Sequence, residues 1–384
     1  MAVAVFMHES IAAPDLYVKR IMGHYTSTRR LLREADESSN REQVVDWRPN
    51  MKPKVILDPH FRRLDRIFSE EDRERMHSLA EVVWGRDEPM PADELAKHRE
   101  DAVAIIAGSW RHGDVAGYPR LRAFMEIGGG FPSPASLDYD TCFARSIRVL
   151  SCAPAFGPAV AEMGLAMALA SARRLVESDR DIRVGNANWS HNDFGDPFLL
   201  FDKPVGFIGF GGLARALKPL IAPFRCPIAV YDPWLTDAYL ATQGVTPTDL
   251  DTLLSTSRVI FVLAVPTSSN RALLNREKLE RIRPDAVFVL LSRAHVVDFD
   301  ALTELVLQGR FRAAIDVFPE EPLPLDHPIR QAPRAILSPH RAGGHPEALR
   351  NIGRIVVRDL EAILSGLPPQ EMQVAQPEFI RMRG

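Results

Sequence analysis

A glycine-rich turn near the middle of the chain limits the folds that are open to it. An apolar run at residues 205–208 leads into a turn at 209–212 with three glycines, and a helical pattern follows over 212–221. A buried strand that passes through such a turn directly into a helix begins a βαβ unit. The sequence therefore predicts an α/β fold with a doubly wound parallel sheet.

Each small residue of this turn has its own steric task. Gly209 allows the tight turn, Gly211 lets a ligand approach the backbone, and Ala214 is small enough for the helix to pack on the strand. The amides of Leu213 and Ala214, at the N-terminus of the helix, can then bind a phosphate group. Strand, turn and helix in this order predict a dinucleotide-binding site.

An acidic residue follows at the expected distance. Asp232 lies 23 positions after Gly209, at the end of the next predicted strand, residues 228–231. A carboxylate at this point accepts hydrogen bonds from the ribose hydroxyls and repels a 2′-phosphate. The predicted cofactor is therefore NAD rather than NADP.

Short apolar segments alternate with helical patterns in two blocks of the chain. The first block has predicted strands at residues 55–57, 82–84, 102–107, 123–127 and 147–150. The second has predicted strands at residues 205–208, 228–231, 259–265, 286–291, 312–317 and 335–337. Glycine and proline cluster at 154–158, before a long apolar helix predicted over 159–175. This alternation predicts two α/β domains, each built on a parallel sheet.

The composition narrows the classes of partner. The chain has 384 residues, enough for two or three domains. Its 47 basic and 50 acidic side chains give a net charge of −3. A nearly neutral chain lacks the strongly positive electrostatic potential that binds nucleic acid or an anionic membrane. Neither partner is therefore predicted.

The cysteines and histidines do not form metal-binding or disulfide patterns. Cys142, Cys152 and Cys226 show no CxxC spacing, and the eleven histidines form no HxxxH or HExxH pair. No metal is predicted, and a reducing compartment is favoured. No stretch has about 18 uninterrupted apolar residues, and residues 1–7 lack the basic start of a signal peptide. The expected location is the cytoplasm.

Three polar residues lie just after predicted strands of the second block. Arg293 follows the strand at 286–291, Glu321 follows the strand at 312–317, and His340 follows the strand at 335–337. The carboxyl ends of parallel strands carry the ligand site in this type of sheet. Each residue also has an ordinary interpretation: a solvated arginine, a turn glutamate or a structural histidine. Their joint placement at three strand ends favours a catalytic role.

These residues stand in motifs that resemble those of the D-isomer-specific 2-hydroxyacid dehydrogenase family. The three motifs are Ser292-Arg293-Ala294, the Asp-Val-Phe to Glu-Pro segment at 316–322 and the Pro-His turn at 338–343. They occur in the family's order, and the likeness extends over roughly residues 120 to 365.

The resemblance implies a role for each of these residues. Arg293 would hold the carboxylate of a 2-keto acid and polarise its carbonyl, and His340 would exchange a proton with the substrate oxygen. Glu321 would orient the imidazole and favour its protonated form. Ser292 and Asp316 would belong to the cofactor site, with Asp316 holding the nicotinamide carboxamide.

The resemblance also extends to a glycine turn in the first block. Family members grip the substrate carboxylate with backbone amides here, which assigns Gly129 and Gly130 to substrate binding. Downstream, residues 131–136 depart from the family pattern as an apparent insertion. Trp110 could close the same pocket, or it could be a large interfacial aromatic. The identity of the 2-hydroxyacid therefore stays open.

The implied architecture has two domains, a Rossmann-type cofactor domain and a flavodoxin-like substrate domain. The predicted division is an N-terminal extension (1–50), a substrate domain (51–153), an NAD-binding domain (154–343) and a C-terminal helix and tail that return to the substrate domain (344–384). The predicted function is interconversion of a D-2-hydroxyacid and its 2-keto acid. One alternative is an NAD(H)-binding corepressor or scaffold of the same fold. Another is oxidation of formate or phosphite. Formate-oxidising relatives have an amide in place of Glu321, so its carboxylate argues against formate oxidation.

A homodimer through the cofactor domain is expected. The predicted helix at 159–175 is more apolar than a solvated connector requires, and the segment at 184–201 carries aromatic side chains that could be buried on a neighbour.

Overall fold

The computed structural model describes residues 52–189 and 195–382. The predicted extension over residues 1–50 lies outside this range. The strands are β1 Lys54–Asp58, β2 Glu81–Trp84, β3 Ala102–Ala107, β4 Ala123–Glu126, β5 Arg148–Ser151, β6 Val205–Ile208, β7 Ile228–Tyr231, β8 Thr246–Pro247, β9 Val259–Val262, β10 Val287–Leu290, β11 Arg312–Ile315, β12 Ala335–Leu337 and β13 Gln373–Val374. The helices are α1 Leu64–Ile67, α2 Glu70–Leu79, α3 Ala92–Ala96, α4 Tyr139–Ala144, α5 Gly157–Ala172, α6 Leu175–Arg183, α7 Gly212–Ile221, α8 Asp237–Thr242, α9 Leu250–Thr256, α10 Arg276–Glu280, α11 Phe299–Leu307, α12 Pro346–Leu364 and α13 Pro377–Arg381.

The first block of strands forms a six-stranded sheet. Its order is β13-β5-β4-β3-β1-β2, and every pairing is parallel except the antiparallel pairing of β13 with β5. The order 2-1-3-4-5 of its parallel strands is that of flavodoxin-like sheets. Strand β13 comes from the C-terminal tail, so the tail pairs with this sheet.

The second block forms a seven-stranded parallel sheet in the order β12-β11-β10-β9-β6-β7-β8. The chain winds outwards from β6 in both directions, which is the doubly wound arrangement of nucleotide-binding domains. The predicted two-domain α/β fold is confirmed. Strand β8 was not predicted, because a two-residue strand with a proline carries no apolar run.

The strands are recognisable in the sequence because both faces of each sheet are covered. All four residues of β6, β9, β10 and β11 are buried. Parallel strands covered on both faces consist of continuous apolar runs. At Gly206 an added Cβ would lie 2.5 Å from a side-chain carbon of Leu253, so helix α9 packs directly on the centre of the sheet.

Helix α5 connects the two sheets and is shorter than predicted. It ends at Ala172, and Arg174 then adopts a left-handed conformation with φ 54° before α6 begins. The stretch from 153 to 172 is long and apolar enough to cross a membrane by length and composition. Half of it is buried, and α5 packs against α7, β10 and β11. We therefore interpret it as a core helix.

Two features hold the two sheets against each other. The ring of Phe156, just before α5, packs against the core of the cofactor sheet and against the core of the other sheet. The C-terminal helix α12 lies against α1 and α2. An added Cβ at Gly353 would lie 2.2 Å from the carbonyl oxygen of Ile67, so α12 approaches that backbone as closely as a glycine permits.

The end of the chain also reaches from one sheet to the other. The ring of Phe379 in α13 lies edge-to-face with the ring of Phe131 and with that of Trp234, which follows β7. Phe131 directly follows the three glycines at 128–130, which we call the triglycine turn. The backbone N–H of Ser268 donates to the carbonyl of Met382 at 3.0 Å. The tail therefore contacts residues of both domains.

Candidate active site

The predicted site residues of the cofactor domain lie along one edge of its sheet. Adjacent parallel strands β6 and β7 end at the glycine turn and at Asp232, and β10, β11 and β12 end just before Arg293, Asp316 and His340. Because the strands are parallel, their carboxyl ends meet at the same edge. The structure thus brings together residues that are more than 100 positions apart in the sequence.

The glycine turn has the geometry that its sequence predicts. Gly209 has φ +91°, and an added Cβ would lie 2.7 Å from the Cα atom of Ala264, so only glycine fits. An added Cβ at Gly211 would meet nothing within 4 Å, which leaves that side open for a ligand. Ala214, in the first turn of α7, is completely buried, and Leu213 beside it is half-buried.

Asp232 holds the glycine turn in place. One carboxylate oxygen accepts a hydrogen bond from the backbone N–H of Phe210 at 2.8 Å, and the other accepts one from Trp234 N–H at 3.0 Å. The carboxylate is half-buried beside the turn. A carboxylate has about four acceptor positions, so two remain for hydroxyl donors of a ligand.

His340 and Glu321 form a hydrogen-bonded pair. The Nδ1 atom of His340 lies 2.6 Å from one Glu321 oxygen, and the other oxygen accepts from Phe318 N–H at 2.9 Å. Partial burial raises the pKa of the Glu321 carboxyl, but the hydrogen bonds from His340 and Phe318 and the charges of His340 and Arg293 outweigh it. The pKa of Glu321 therefore lies below its ordinary value. With Nδ1 engaged by an ionised carboxylate, Nε2 is the nitrogen left for a substrate.

Asp316 holds the loop that carries His340. The residue is 1% exposed. One carboxylate oxygen accepts from the Ser338 hydroxyl at 2.5 Å and from Arg341 N–H at 2.8 Å, and the other accepts from Ala342 N–H at 3.1 Å. Its carbonyl accepts from His340 N–H at 2.9 Å. Its buried carboxylate is thus the anchor of the histidine loop, and the predicted contact of Asp316 with the nicotinamide carboxamide stays a prediction.

Arg293 is exposed at the same edge. Its Nη1 atom donates to the carbonyl of Ser292 at 2.7 Å, and its charge helps to lower the pKa of Glu321. Arg293, Glu321 and His340 are therefore close enough to interact electrostatically, as the motifs predicted. Trp110, in contrast, is only 5% exposed and packs against Phe124 in the core of the substrate domain, so it does not close the pocket.

The amides of Gly129 and Gly130, which we predicted to hold the substrate carboxylate, are already occupied in this structure. The N–H groups of Gly128, Gly129 and Gly130 all donate to the carboxylate of Glu126, at 2.6, 2.9 and 3.0 Å. Burial raises the pKa of Glu126 to about 7, although the three amides oppose this shift. The signal was present in the sequence, since Glu126 ends the strand that leads into the triglycine turn.

Sequence reasoning also missed Arg62. It follows β1 at the corresponding edge of the substrate sheet, where Nε and Nη2 donate to the carbonyls of Ile127 and Gly128 at 3.3 and 3.0 Å. Its guanidinium lies 5.1 Å from the ring centre of Phe61 and 5.6 Å from that of Phe156. The position of Arg62 after a predicted strand was the available signal.

Comparisons with known proteins agree with this arrangement. The family model described as D-isomer specific 2-hydroxyacid dehydrogenase, NAD binding domain, matches residues 165–342. A glyoxylate reductase from Thermofilum pendens is 30% identical over 332 residues, which are 83% of this chain and 94% of that protein. The chain belongs to the D-isomer-specific 2-hydroxyacid dehydrogenase family.

Further relatives of this D-2-hydroxyacid dehydrogenase differ in their named substrates. The crystal structure of a phosphoglycerate oxidoreductase from Rhizobium etli has a TM-score of 0.73 and 37% identity, and covers 85% of this chain and 99% of that one. A D-3-phosphoglycerate dehydrogenase from Mycobacterium leprae is 29% identical over 268 residues, 69% of this chain but 49% of that protein. The chain is therefore an enzyme that uses a nicotinamide cofactor, and the family alone does not select its substrate.

The residues of the dehydrogenase fit such a cofactor. The turn is open at Gly211, with the amides of α7 behind it. Ser292 is buried beside Arg293, and its hydroxyl has no hydrogen-bond partner within residues 52–189 and 195–382. Buried hydroxyls usually have a partner, and a bound cofactor would supply one. Within these residues there is also no cluster of three His, Cys, Asp or Glu side chains that could hold a metal ion.

Proposed function

We propose that this enzyme interconverts a short 2-keto acid and its D-2-hydroxyacid, with NADH and NAD as the cofactor pair. The observation that carries the proposal is the 2.6 Å contact between His340 and Glu321 at the edge of the nucleotide-binding sheet. Glyoxylate, hydroxypyruvate and phosphohydroxypyruvate are the first substrates to test, since related proteins are named for glyoxylate, hydroxypyruvate or phosphoglycerate.

His340, Glu321 and Arg293 each have a separate role in the proposed reaction. The nicotinamide, when bound, supplies the hydride that adds to the carbonyl carbon. His340 gives the proton on Nε2 to the carbonyl oxygen, which completes the alcohol, and takes it back in the reverse direction. Glu321 accepts the hydrogen bond from Nδ1 and stabilises the protonated ring. Arg293 offers paired N–H donors to the carboxylate and the developing oxyanion.

The corepressor or scaffold alternative is not favoured. A protein that only sensed the cofactor would have no need for Arg293, Glu321 and His340 together, and the related proteins described above are named as enzymes. Fold alone does not decide between these functions. Because His340 and Glu321 form a pair suited to proton transfer, we favour a catalytic function over a purely binding one.

The preference for NAD rests on Asp232. Its carboxylate is half-buried beside the glycine turn, where a 2′-phosphate would meet its negative charge. The residues that follow, Pro233, Trp234 and Leu235, provide no cation to compensate. We therefore propose that NAD binds in preference to NADP.

We also propose a cytoplasmic homodimer with no nucleic-acid or membrane partner. Large apolar side chains are exposed on α6 and the segment after it, among them Leu175, Ile182, Val184 and Trp189. Phe198 packs under Arg258 of its own chain, and Phe194 lies outside the described residues. Exposed apolar patches of this kind mark interfaces.

Light scattering at several concentrations tests the dimer. The expected mass is twice the 42.9 kDa of the chain. A mass of one chain at every concentration would contradict the proposal.

Replacing Asp232 tests the cofactor preference. In Asp232→Ala the ribose loses a charged acceptor, so we expect NADH binding to weaken by about tenfold or more and the preference over NADPH to narrow. Fluorescence titration with both cofactors measures this. Asp237→Ala, which removes the same charge from an exposed position in α8, should bind both like the unmodified enzyme. Tighter binding of NADPH than NADH by the unmodified enzyme would overturn the assignment.

Replacing the histidine tests the chemistry. His340→Ala should lower kcat by about 10² to 10⁴, the usual contribution of general acid catalysis, while NADH binding is retained. His345→Ala is the matched control, because His345 also pairs with a glutamate, Glu347, but on the exposed start of α12. An unchanged kcat in His340→Ala would remove the proposed mechanism.

The pH profile tests the pairing. Glu321 is ionised at neutral pH, since its pKa is lowered. Glu321→Gln deprives the protonated imidazole of this negative partner, so reduction should lose activity at a lower pH than in the unmodified enzyme. Oxidation, which needs the neutral ring, should extend to lower pH. Identical profiles for the two proteins would show that the carboxylate does not act on the histidine.

A further inference from the structure

We propose that Arg62 binds the carboxylate of the substrate, in place of the backbone amides of the triglycine turn, which donate to Glu126 in this structure. This inference rests on the proposed function, because it assigns one more residue to the same reaction. It makes Arg62 a substrate-binding residue.

The first step is that the turn has no amide donors to offer. Each backbone N–H has one hydrogen, and those of Gly128, Gly129 and Gly130 all point to the two oxygens of Glu126. Glu126 itself is 5% exposed. The fit is tight, since an added Cβ at Gly128 would lie 2.3 Å from a Glu126 oxygen. A substrate carboxylate could use these amides only by displacing a buried side chain.

The second step is that Arg62 is fixed beside the same turn with donors to spare. Two of its five N–H groups donate to the carbonyls of Ile127 and Gly128. The rings of Phe61 and Phe156 lie near its guanidinium. These contacts hold the plane of the fork and leave N–H groups for a further acceptor. A guanidinium held in this way suits bidentate recognition of a carboxylate.

The third step is that Arg62 lacks an anionic partner. None of the ion pairs within the described ranges includes Arg62. Glu126 is the acid whose pKa it influences, but that carboxylate is taken up by the amides, and its raised pKa of about 7 reduces its average charge near neutral pH. A partly buried cation without a carboxylate next to a cleft indicates an anionic ligand.

The fourth step is the position of Arg62 relative to the histidine loop. Phe156 touches both sides of the cleft: an added Cβ would lie 2.9 Å from its ring at Gly129 and 3.2 Å from it at Gly343. Gly343 follows His340 by three residues, and the guanidinium of Arg62 lies 5.6 Å from the same ring. A short 2-keto acid in the cleft would therefore have Arg62 on the substrate-domain side and Arg293 and His340 on the other.

The test compares Arg62→Met with matched variants in the enzyme–NADH complex. The measurements are KM and kcat for the active 2-keto acid, and the Kd of oxamate, a carboxylate analogue that is not reduced, by fluorescence. We expect Arg62→Met to raise KM and the oxamate Kd by about 10- to 150-fold, which corresponds to the roughly 1.5–3 kcal/mol that a hydrogen bond to a charged group typically contributes. NADH binding should not change.

Three comparisons separate this role from a structural one. Arg62→Lys should be intermediate, and methylguanidinium should partly restore oxamate binding to Arg62→Met. Arg63→Met is the control for charge, because Arg63 is exposed and pairs with Asp65.

The outcomes are distinct. An unchanged KM and oxamate Kd in Arg62→Met would overturn the proposal and leave the substrate carboxylate to other donors, such as the backbone amides of the turn. If the unmodified enzyme reduces no 2-keto acid, the proposed function fails, while loss of oxamate binding in Arg62→Met would still support the role of Arg62. Absence of oxamate binding to the unmodified complex would contradict that role.

Discussion

The buried carboxylate of Asp316 is the interaction on which the catalytic edge depends. A buried charge is tolerated only when hydrogen bonds surround it, and here the donors come from Ser338, Arg341 and Ala342. Satisfying that charge folds the loop back on the end of β11. His340 lies inside this loop with φ 51°, a left-handed conformation that is uncommon for a residue with a side chain. The same fold of the loop brings its ring to Glu321.

Carboxylates that accept several backbone N–H groups recur in this structure. Asp232 takes the amide of Phe210 in the glycine turn, and Glu126 takes three amides of the triglycine turn. Asp359 in α12 does the same for residues 370–372, where the tail turns towards β13. Each carboxylate fixes the backbone of a loop or turn. At the triglycine turn this leaves an anionic substrate to side-chain donors such as the arginines.

The sequence was sufficient for most of the fold and for half of the site. Buried parallel strands consist of apolar runs, so the strands of the cofactor sheet were predicted within a few residues, whereas β8, with two residues, was not. Gly209, Asp232 and the His340–Glu321 pair were predictable because their spacing follows strand ends. The occupied amides at Gly129 and the position of Arg62 were missed, because the sequence shows that an acid precedes the turn and that an arginine follows a strand but not where either side chain points. A motif records residue types, but not the direction of their donors.

The proposed reaction is tested most directly by following deuterium from C4 of NADH into the product. The enzyme is incubated with NADH that carries deuterium at both C4 positions and with hydroxypyruvate or whichever 2-keto acid is active, and the product is examined by NMR and chiral chromatography. The account predicts a D-2-hydroxyacid with deuterium on C2, as transfer from the nicotinamide to the carbonyl carbon requires. A product of L configuration, or one without deuterium on C2, would contradict it.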